Sequence, residues 1–275
     1  MAAAVWLNGA LLVPGDATVS VFDHGLTVGD GVFETLRVYR GIPFARRRHL
    51  DRLERSAAGL GLTLPDRAVL DGAIDEVVAA GGLAEARLRL TVTGGPALLG
   101  SPRGAAGATV IVAVAPLDPY APCAEVAVVP WARNERSAVA GLKTTSYAEN
   151  VVALAAARRA GAGEAIFANT QGRLCEGTGS NVVLASGGRL FTPPLSSGCL
   201  AGVTRALVLE RTEVAEADLA MSALGDADEA FLTSSLREVQ PIAAVDGRPL
   251  PQAPGPLTRA AMATYANVVA HDPDP

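Results

Sequence analysis

The sequence predicts an α/β chain of two domains, a small α+β domain followed by a larger α/β domain, and three observations lead there. The chain has 275 residues, 49% of them apolar, enough for about two cores at roughly 150 residues per domain. Segments with the two-residue period of strands alternate with segments of helical period along its whole length. Between two such groups, Pro116-Leu-Asp-Pro-Tyr-Ala-Pro122 places three prolines in seven residues, a composition for a linker and not for the interior of an element. The small domain is therefore set at residues 1–117, the linker at 118–122 and the larger domain at 123–275.

Taken in order, Val5 to Val13 reads as a hairpin turning on Asn8-Gly9, a dipeptide that accepts the positive φ angles of a tight hairpin turn. After the glycine-rich stretch from Gly25 to Gly31, Val32 to Tyr39 has strand composition, with Phe33, Thr35, Arg37 and Tyr39 sharing one face by simple alternation. Helical spacing follows over 46–60, where Leu50, Leu53, Ala57 and Leu60 fall on one side, and again over 65–80. Strands are expected over 86–93 and 108–115. Beyond the linker come a strand at 125–130, a helix at 147–160, strands near 165–168, 181–185 and 190–192, a helix opening near Val203 and a strand at 229–232. The tail, His271-Asp-Pro-Asp-Pro275, is expected to be disordered.

Charge and composition exclude several classes of function. A net charge of −5 with no basic stripe argues against binding a phosphate backbone, so nucleic acid is not an expected partner. The first residues carry no basic segment and no apolar run approaches the roughly 18 residues of a membrane span; the chain is read as cytoplasmic, without a membrane partner. Cys123, Cys175 and Cys199 are odd in number and widely spaced, fitting neither a disulfide framework nor a zinc site, and read as buried free thiols. His24, His49 and His271 lack the i, i+4 pairing of a helical metal site, so no metal is expected. No Gly-x4-Gly-Lys-Ser/Thr loop occurs, and no Gly-x-Gly-x-x-Gly leads from a strand into a helix, which sets nucleotide binding aside.

The basic residues carry the first chemical clue. Of twenty-three, twenty-two are arginine and one, Lys143, is lysine. At solvated positions the two cations exchange at little cost, so a surviving solitary lysine marks a place where arginine fails. A guanidinium stays protonated and forms no imine, whereas a desolvated primary amine can lose its proton and attack a carbonyl. Lys143 sits among small and apolar neighbours in Val139-Ala-Gly-Leu-Lys-Thr-Thr-Ser146. A purely binding protein of two α/β domains would have no use for such an amine.

A lysine of this kind suggests pyridoxal 5′-phosphate, which needs an amine for a Schiff base, a partner for its pyridine nitrogen and a dense set of phosphate donors. Glu176, in Arg173-Leu-Cys-Glu-Gly-Thr-Gly-Ser-Asn181, is a carboxylate among glycines suited to the ring nitrogen. Gly202-Val-Thr-Arg-Ala206 opens a helical run, where backbone amides and the Thr204 hydroxyl can receive an anion. Thr233-Ser-Ser235, ending an apolar strand, offers further donors.

Six ordered motifs make these segments resemble the fold-type IV pyridoxal-phosphate enzymes, the class IV aminotransferases. They are Asp23-His-Gly-Leu-Thr-Val-Gly-Asp-Gly-Val-Phe-Glu-Thr35, His49-Leu-Asp-Arg-Leu-Glu-Arg-Ser56, Leu142-Lys-Thr-Thr-Ser-Tyr-Ala-Glu-Asn150, Cys175-Glu-Gly-Thr-Gly-Ser-Asn181, Gly202-Val-Thr-Arg205 and Leu232-Thr-Ser-Ser-Leu-Arg-Glu238. The resemblance runs from about Asn8 to Pro251 and implies the fold-type IV architecture and a homodimer. It further implies that Lys143 forms the Schiff base and moves the proton between the substrate Cα and the cofactor C4′, that Glu176 binds the pyridine nitrogen, and that Arg52 reaches the phosphate. Val203, Thr204, Ser234 and Ser235 would complete the phosphate cup, Tyr147 would stand near the phenolic oxygen, Ser180 beside the ring, and Asn181 would be a structural turn residue.

Three activities dominate such relatives: D-amino-acid transamination, branched-chain L-amino-acid transamination, and release of pyruvate and 4-aminobenzoate from 4-amino-4-deoxychorismate in folate synthesis. The Arg-x-His pair of familiar D-amino-acid transaminases is missing from the corresponding Thr93-Gly-Gly-Pro-Ala-Leu-Leu-Gly100, and Phe33 replaces their tyrosine. Phe33, Thr35 and Arg37 are the expected substrate contacts, Arg37 being placed to take over the carboxylate. The simplified pocket favours a transaminase acting on D-amino acids, with (R)-amines as further donors and a 2-oxo acid as acceptor; the lyase is the alternative.

Overall fold

A computed structural model describes residues 3–275. The chain forms two compact units: one comprises the residues up to Pro119 with Leu142–Tyr147 and Pro273–Pro275, the other Tyr120–Gly141 with Ala148–Asp272. No helix among the described residues is long and apolar enough to cross a membrane.

The first unit contains β1 (Ala4–Leu7), β2 (Ala10–Leu12), α1 (His24–Thr27), β3 (Gly31–Tyr39), β4 (Ile42–Pro43), α2 (Arg46–Leu60), α3 (Arg67–Gly81), β5 (Glu85–Thr93) and β6 (Thr109–Pro116). Its sheet has the order β2-β1-β6-β5-β3-β4 with antiparallel neighbours throughout. The first hairpin turns on Asn8 and Gly9, at φ 48° and 99°. Alternation then sorts β3 as expected: Val32, Leu36 and Val38 are buried in the core with Leu50, Leu53 and Ala57 of α2 and Leu70, Ile74 and Val77 of α3. Phe33, Thr35, Arg37 and Tyr39 take the other face. Glu34 falls on the core side and is fully buried, a charge in an otherwise apolar stripe.

The tail expected to be disordered is ordered. Ala45, preceding α2, is in the left-handed region and gives the helix no side-chain cap, so its first amides need outside acceptors. Residues 273 and 274 supply two: Ala45 N donates to the Pro273 carbonyl at 2.8 Å and Arg47 N to Asp274 Oδ1 at 2.9 Å; the Arg48 side chain adds a bond from Nε to the Pro275 carbonyl at 2.6 Å.

The second unit contains β7 (Ala124–Arg133), α4 (Ala148–Arg159), β8 (Glu164–Asn169), β9 (Leu174–Gly177), β10 (Asn181–Ser186), β11 (Arg189–Thr192), α5 (Val203–Arg211), β12 (Val214–Glu216), α6 (Ser222–Gly225), β13 (Glu229–Ser234), β14 (Glu238–Val245), β15 (Arg248–Pro249) and α7 (Pro256–His271). The sheet runs β12-β11-β10-β13-β14-β7-β8-β9, with β15 paired to β14, and is mixed, since β7 lies parallel to both β14 and β8. One core gathers Ile166, Val182, Leu184, Leu232 and Ile242; another packs Ala153 and Ala157 of α4 on Val129 and Phe167. At the start of α7, Glu229 accepts from Leu257 N at 3.1 Å and Thr258 N at 2.8 Å, serving as the cap that Gly255 lacks a side chain to provide.

Candidate active site

Lys143 is built into the first unit. Its segment lies along the start of β3: Phe33 N donates to the Lys143 carbonyl at 3.1 Å and Thr145 N to the Gly31 carbonyl at 2.8 Å. Gly31 is required for this approach, because a Cβ there would sit 2.9 Å from the Val92 carbonyl and 3.0 Å from Thr145 Oγ1. On the α2 side, Lys143 N donates to Ser56 Oγ at 3.1 Å. The amine is half-buried, with Nζ 4.3 Å from the centre of the Phe33 ring and 5.8 Å from that of Tyr147. The two rings meet edge to face at 5.2 Å. Lys143, Tyr147 and Phe33 thus lie together.

The face around them is basic. Across β3 and β5, Thr35 stands opposite Arg89 and Arg37 opposite Arg87. Arg37 reaches Glu85 at 3.2 Å and covers the Tyr39 ring at 4.6 Å. The Arg89 guanidinium lies 3.7 Å from the centre of the Phe33 ring and donates to Thr91 Oγ1 at 3.2 Å. Crowding by protein lowers its pKa, Tyr147 opposes that shift and Arg87 adds to it, although the side chain keeps substantial contact with solvent. Arg87 and Arg89 were missed from sequence; the register that puts Thr35 opposite Arg89 was the signal that would have found them.

Arg52 lies under the same unit's core face, almost fully buried. Nε donates to Glu34 Oε1 at 2.8 Å and the terminal NH2 to Glu34 Oε2 at 2.6 Å. His49 Nδ1 meets the same Oε2 at 2.6 Å.

The second unit carries the carboxylate and the anion donors. Glu176 lies within β9 itself and is held from two sides: Leu200 N donates to Oε2 at 2.8 Å, and Arg133 Nε stands 3.1 Å from Oε1 as a charge pair. Arg133 in turn donates to Glu149 Oε2 at 2.7 Å and Asn150 Oδ1 at 3.1 Å and stacks on Phe167 at 4.3 Å. The following loop is organised by Glu164, which accepts the Thr178 N–H at 3.0 Å, the Thr178 hydroxyl, and the Ser180 hydroxyl at 3.1 Å. Ser180 is thereby a brace for the loop, a role its position among glycines did not disclose.

Helix α5 begins at Val203 after Gly202, with no side-chain cap and no acid in its first turn, so its amides and positive dipole end are available to an anion. Asn181 fixes the approach: Nδ2 donates to the Leu200 carbonyl at 2.9 Å, and a Cβ on Gly202 would fall 2.0 Å from Asn181 Oδ1. Asn181 pairs across the sheet with Thr233, whose buried Oγ1 has no hydrogen-bond partner among the described residues. An orphaned hydroxyl beside an uncapped helix start suits a phosphate. Ser234 accepts Arg237 N at 3.1 Å, and Ser235 follows in the same turn. Within this unit the uncapped helix start, the orphaned hydroxyl and the oriented Glu176 carboxylate fit the phosphate and ring nitrogen of pyridoxal phosphate, and within the first unit the solitary Lys143 fits its aldehyde.

Cys175 and Cys199 are buried and Cys123 is half-buried, so the expectation of burial holds for two of three. Burial pushes the Cys199 thiol up to about 11, with Glu176 adding to the shift, and raises Cys175 further; neither supplies a thiolate near neutrality.

The Amino-transferase class IV family model matches residues 31–245. The chain is 35% identical over 254 residues to a putative branched-chain-amino-acid aminotransferase of Methanocaldococcus jannaschii, covering 89% of this chain and 88% of that one. It is 33% identical to a D-alanine aminotransferase of Bacillus licheniformis, with 96% of each chain covered. It is 32% identical to an aminodeoxychorismate lyase of Bacillus subtilis, over 88% of this chain and 86% of that one. Among solved structures, the PLP-bound form of a hypothetical aminotransferase from Mycobacterium tuberculosis superposes with a TM-score of 0.88 at 28% identity, covering 98% of this chain and 99% of that one.

Proposed function

Because this chain belongs to the class IV aminotransferases, whose cofactor is pyridoxal 5′-phosphate, we propose that it is a transaminase of amino acids, D-amino acids first among them, with a 2-oxo acid as acceptor. The observation that carries the reading is the basic face of Arg37, Arg87 and Arg89 beside Phe33 and the half-buried Lys143. Guanidinium groups in such a row suit a substrate carboxylate, held at a fixed distance from the amine. The (R)-amines expected from sequence have no carboxylate for that face and take second place.

When bound, the cofactor's ring supplies the electron sink for charge developing at the substrate α-carbon. Lys143 Nζ would hold the cofactor through its aldehyde and would move the proton at the substrate Cα. Glu176, oriented by Arg133 and the Leu200 N–H, would pair with the ring nitrogen. In the second unit the amides of Val203 and Thr204 and the hydroxyls of Ser234 and Ser235 would hold the phosphate; the family resemblance assigns Arg52 to the phosphate as well and Tyr147 to the phenolic oxygen. Arg89 and Arg37 receive the substrate carboxylate over Phe33 and Thr35. The working form is a homodimer in the cytoplasm; exposed Phe22 (50%), Leu26 (70%) and Leu98 (88%) on the first unit support a covered face.

The lyase remains a second reading on one observation: a row of three guanidinium groups, on Arg37, Arg87 and Arg89, also suits a dicarboxylate. The deciding experiment adds D-alanine, D-glutamate, L-leucine, L-glutamate or (R)-1-phenylethylamine singly to the holoenzyme without acceptor and follows its absorbance. Conversion of the cofactor to its amine form identifies a transaminase, its donor and its handedness. No conversion with any donor, together with pyruvate release from aminodeoxychorismate, overturns the transaminase in favour of the lyase.

A further inference from the structure

Glu34 is the residue that fold and reaction leave unexplained. Strand alternation puts it on the core side of β3, between Val32 and Leu36, where an apolar residue would pack at no electrostatic cost. Its exposure is instead 0% with the charge retained. Burial alone would raise its pKa, but Arg52 and, less strongly, His49 outweigh burial and bring it to about 2. A buried ion pair seldom adds net stability over an apolar pair of similar size, so its presence calls for a role.

We propose that Glu34 is a positioning residue for cofactor binding, orienting Arg52 toward the phosphate. The inference rests on the reading of Arg52 as a phosphate ligand. Glu34 takes Nε and NH2 of Arg52 at 2.8 and 2.6 Å, two donors on one edge of a planar group that has five. Planarity then turns the opposite edge, carrying NH1, away from the carboxylate. His49, three residues earlier and so on the same face of α2, holds Oε2 at 2.6 Å and keeps the carboxylate itself from rotating. A long side chain that would otherwise sample many rotamers is fixed before the ligand arrives, which lowers the entropy lost on binding.

The same carboxylate has an opposing effect, since its charge offsets that of Arg52 and weakens any net attraction for a phosphate dianion. Whether orientation or charge prevails is measurable. The apoprotein's affinities for pyridoxal 5′-phosphate and for pyridoxal, which lacks the phosphate, are determined by absorbance titration in the wild type, Glu34→Gln, Arg52→Ala and the double variant. Glu34→Gln is expected to lower the ratio of the two affinities at least tenfold, and the double variant to fall no further than Arg52→Ala. A parallel loss for both ligands would make Glu34 a structural residue only, and a rise in the ratio would make it a net repeller of phosphate; either overturns the proposal. If Arg52→Ala leaves the ratio unchanged, the assignment of Arg52 fails, and the proposal fails with it for that separate reason. Should Glu34→Gln not fold, Glu34→Asp keeps the charge but is too short for both Arg52 donors; it must still lower the ratio, and an unchanged ratio overturns the proposal.

Discussion

The guanidinium of Arg89 lies over Phe33, 3.7 Å from the ring centre. This contact fixes where a cation is offered to substrate. Arg89→Gln is expected to raise KM for an amino donor bearing a carboxylate by roughly ten- to a hundredfold, the equivalent of a charged hydrogen bond of about 1.5–3 kcal/mol. Steady-state kinetics with D-alanine and with (R)-1-phenylethylamine check it; an equal rise for both would mean that Arg89 supports the pocket without reading the carboxylate.

Lys143→Ala should yield a protein that folds yet is colourless after dialysis and inactive with every donor. Lys143→Arg should behave in the same way, because a guanidinium keeps its charge and forms no imine. Visible absorbance and half-reaction assays suffice, and activity retained by either variant would remove the mechanism.

His49 gives a pH dependence. Burial lowers its pKa below 6.5, with Glu34 opposing the shift and Arg52 and Lys143 adding to it. Its folded pKa is thus depressed below the unfolded one, so the stability linked to neutral His49 is present above pH 6.5 and is lost as pH falls toward the folded pKa. Urea melts at about pH 7.5 and about pH 5.5 should show less loss on acidification in His49→Gln than in the wild type. Equal slopes would place the proton elsewhere.

Glu229→Ala removes the acceptor for the first amides of α7. The loss is expected to be about 1–2 kcal/mol, as for an N-cap deletion, or roughly 2–8 °C in Tm for a domain of this size. Differential scanning calorimetry measures it, and an unchanged Tm would mean that water replaces the carboxylate at no cost.

Much of this was legible in the sequence. The hairpin on Asn8-Gly9, the alternation in β3 and the apolar stripe of α2 each rest on local rules that burial then reinforced. Lys143 and Glu176 stood out in the sequence because a solitary amine and a carboxylate among glycines have few ordinary uses. Elements lacking a local signature escaped: β14 carries Pro241 in its middle, which reads as a strand breaker, and α7 is rich in alanine with little contrast between its faces. Arg89, Arg133 and Glu164 escaped for a different reason, since their roles depend on partners distant in the chain, Phe33, Glu149 and Thr178 respectively, which only the folded chain brings beside them.

The placement of residues 273–275 on the start of α2, together with Lys143 on β3, bears on how the protein is made. Translation proceeds from the N-terminus at about 5–20 residues per second, and the first unit remains incomplete until segments from far downstream emerge. The nascent first unit therefore lacks the 142–147 segment along β3, and its α2 lacks its outside acceptors until residues 273–275 have been made. Closure across such separations slows folding, and during that interval the start of β3 awaits its own chain, a period in which a chaperone would be of use.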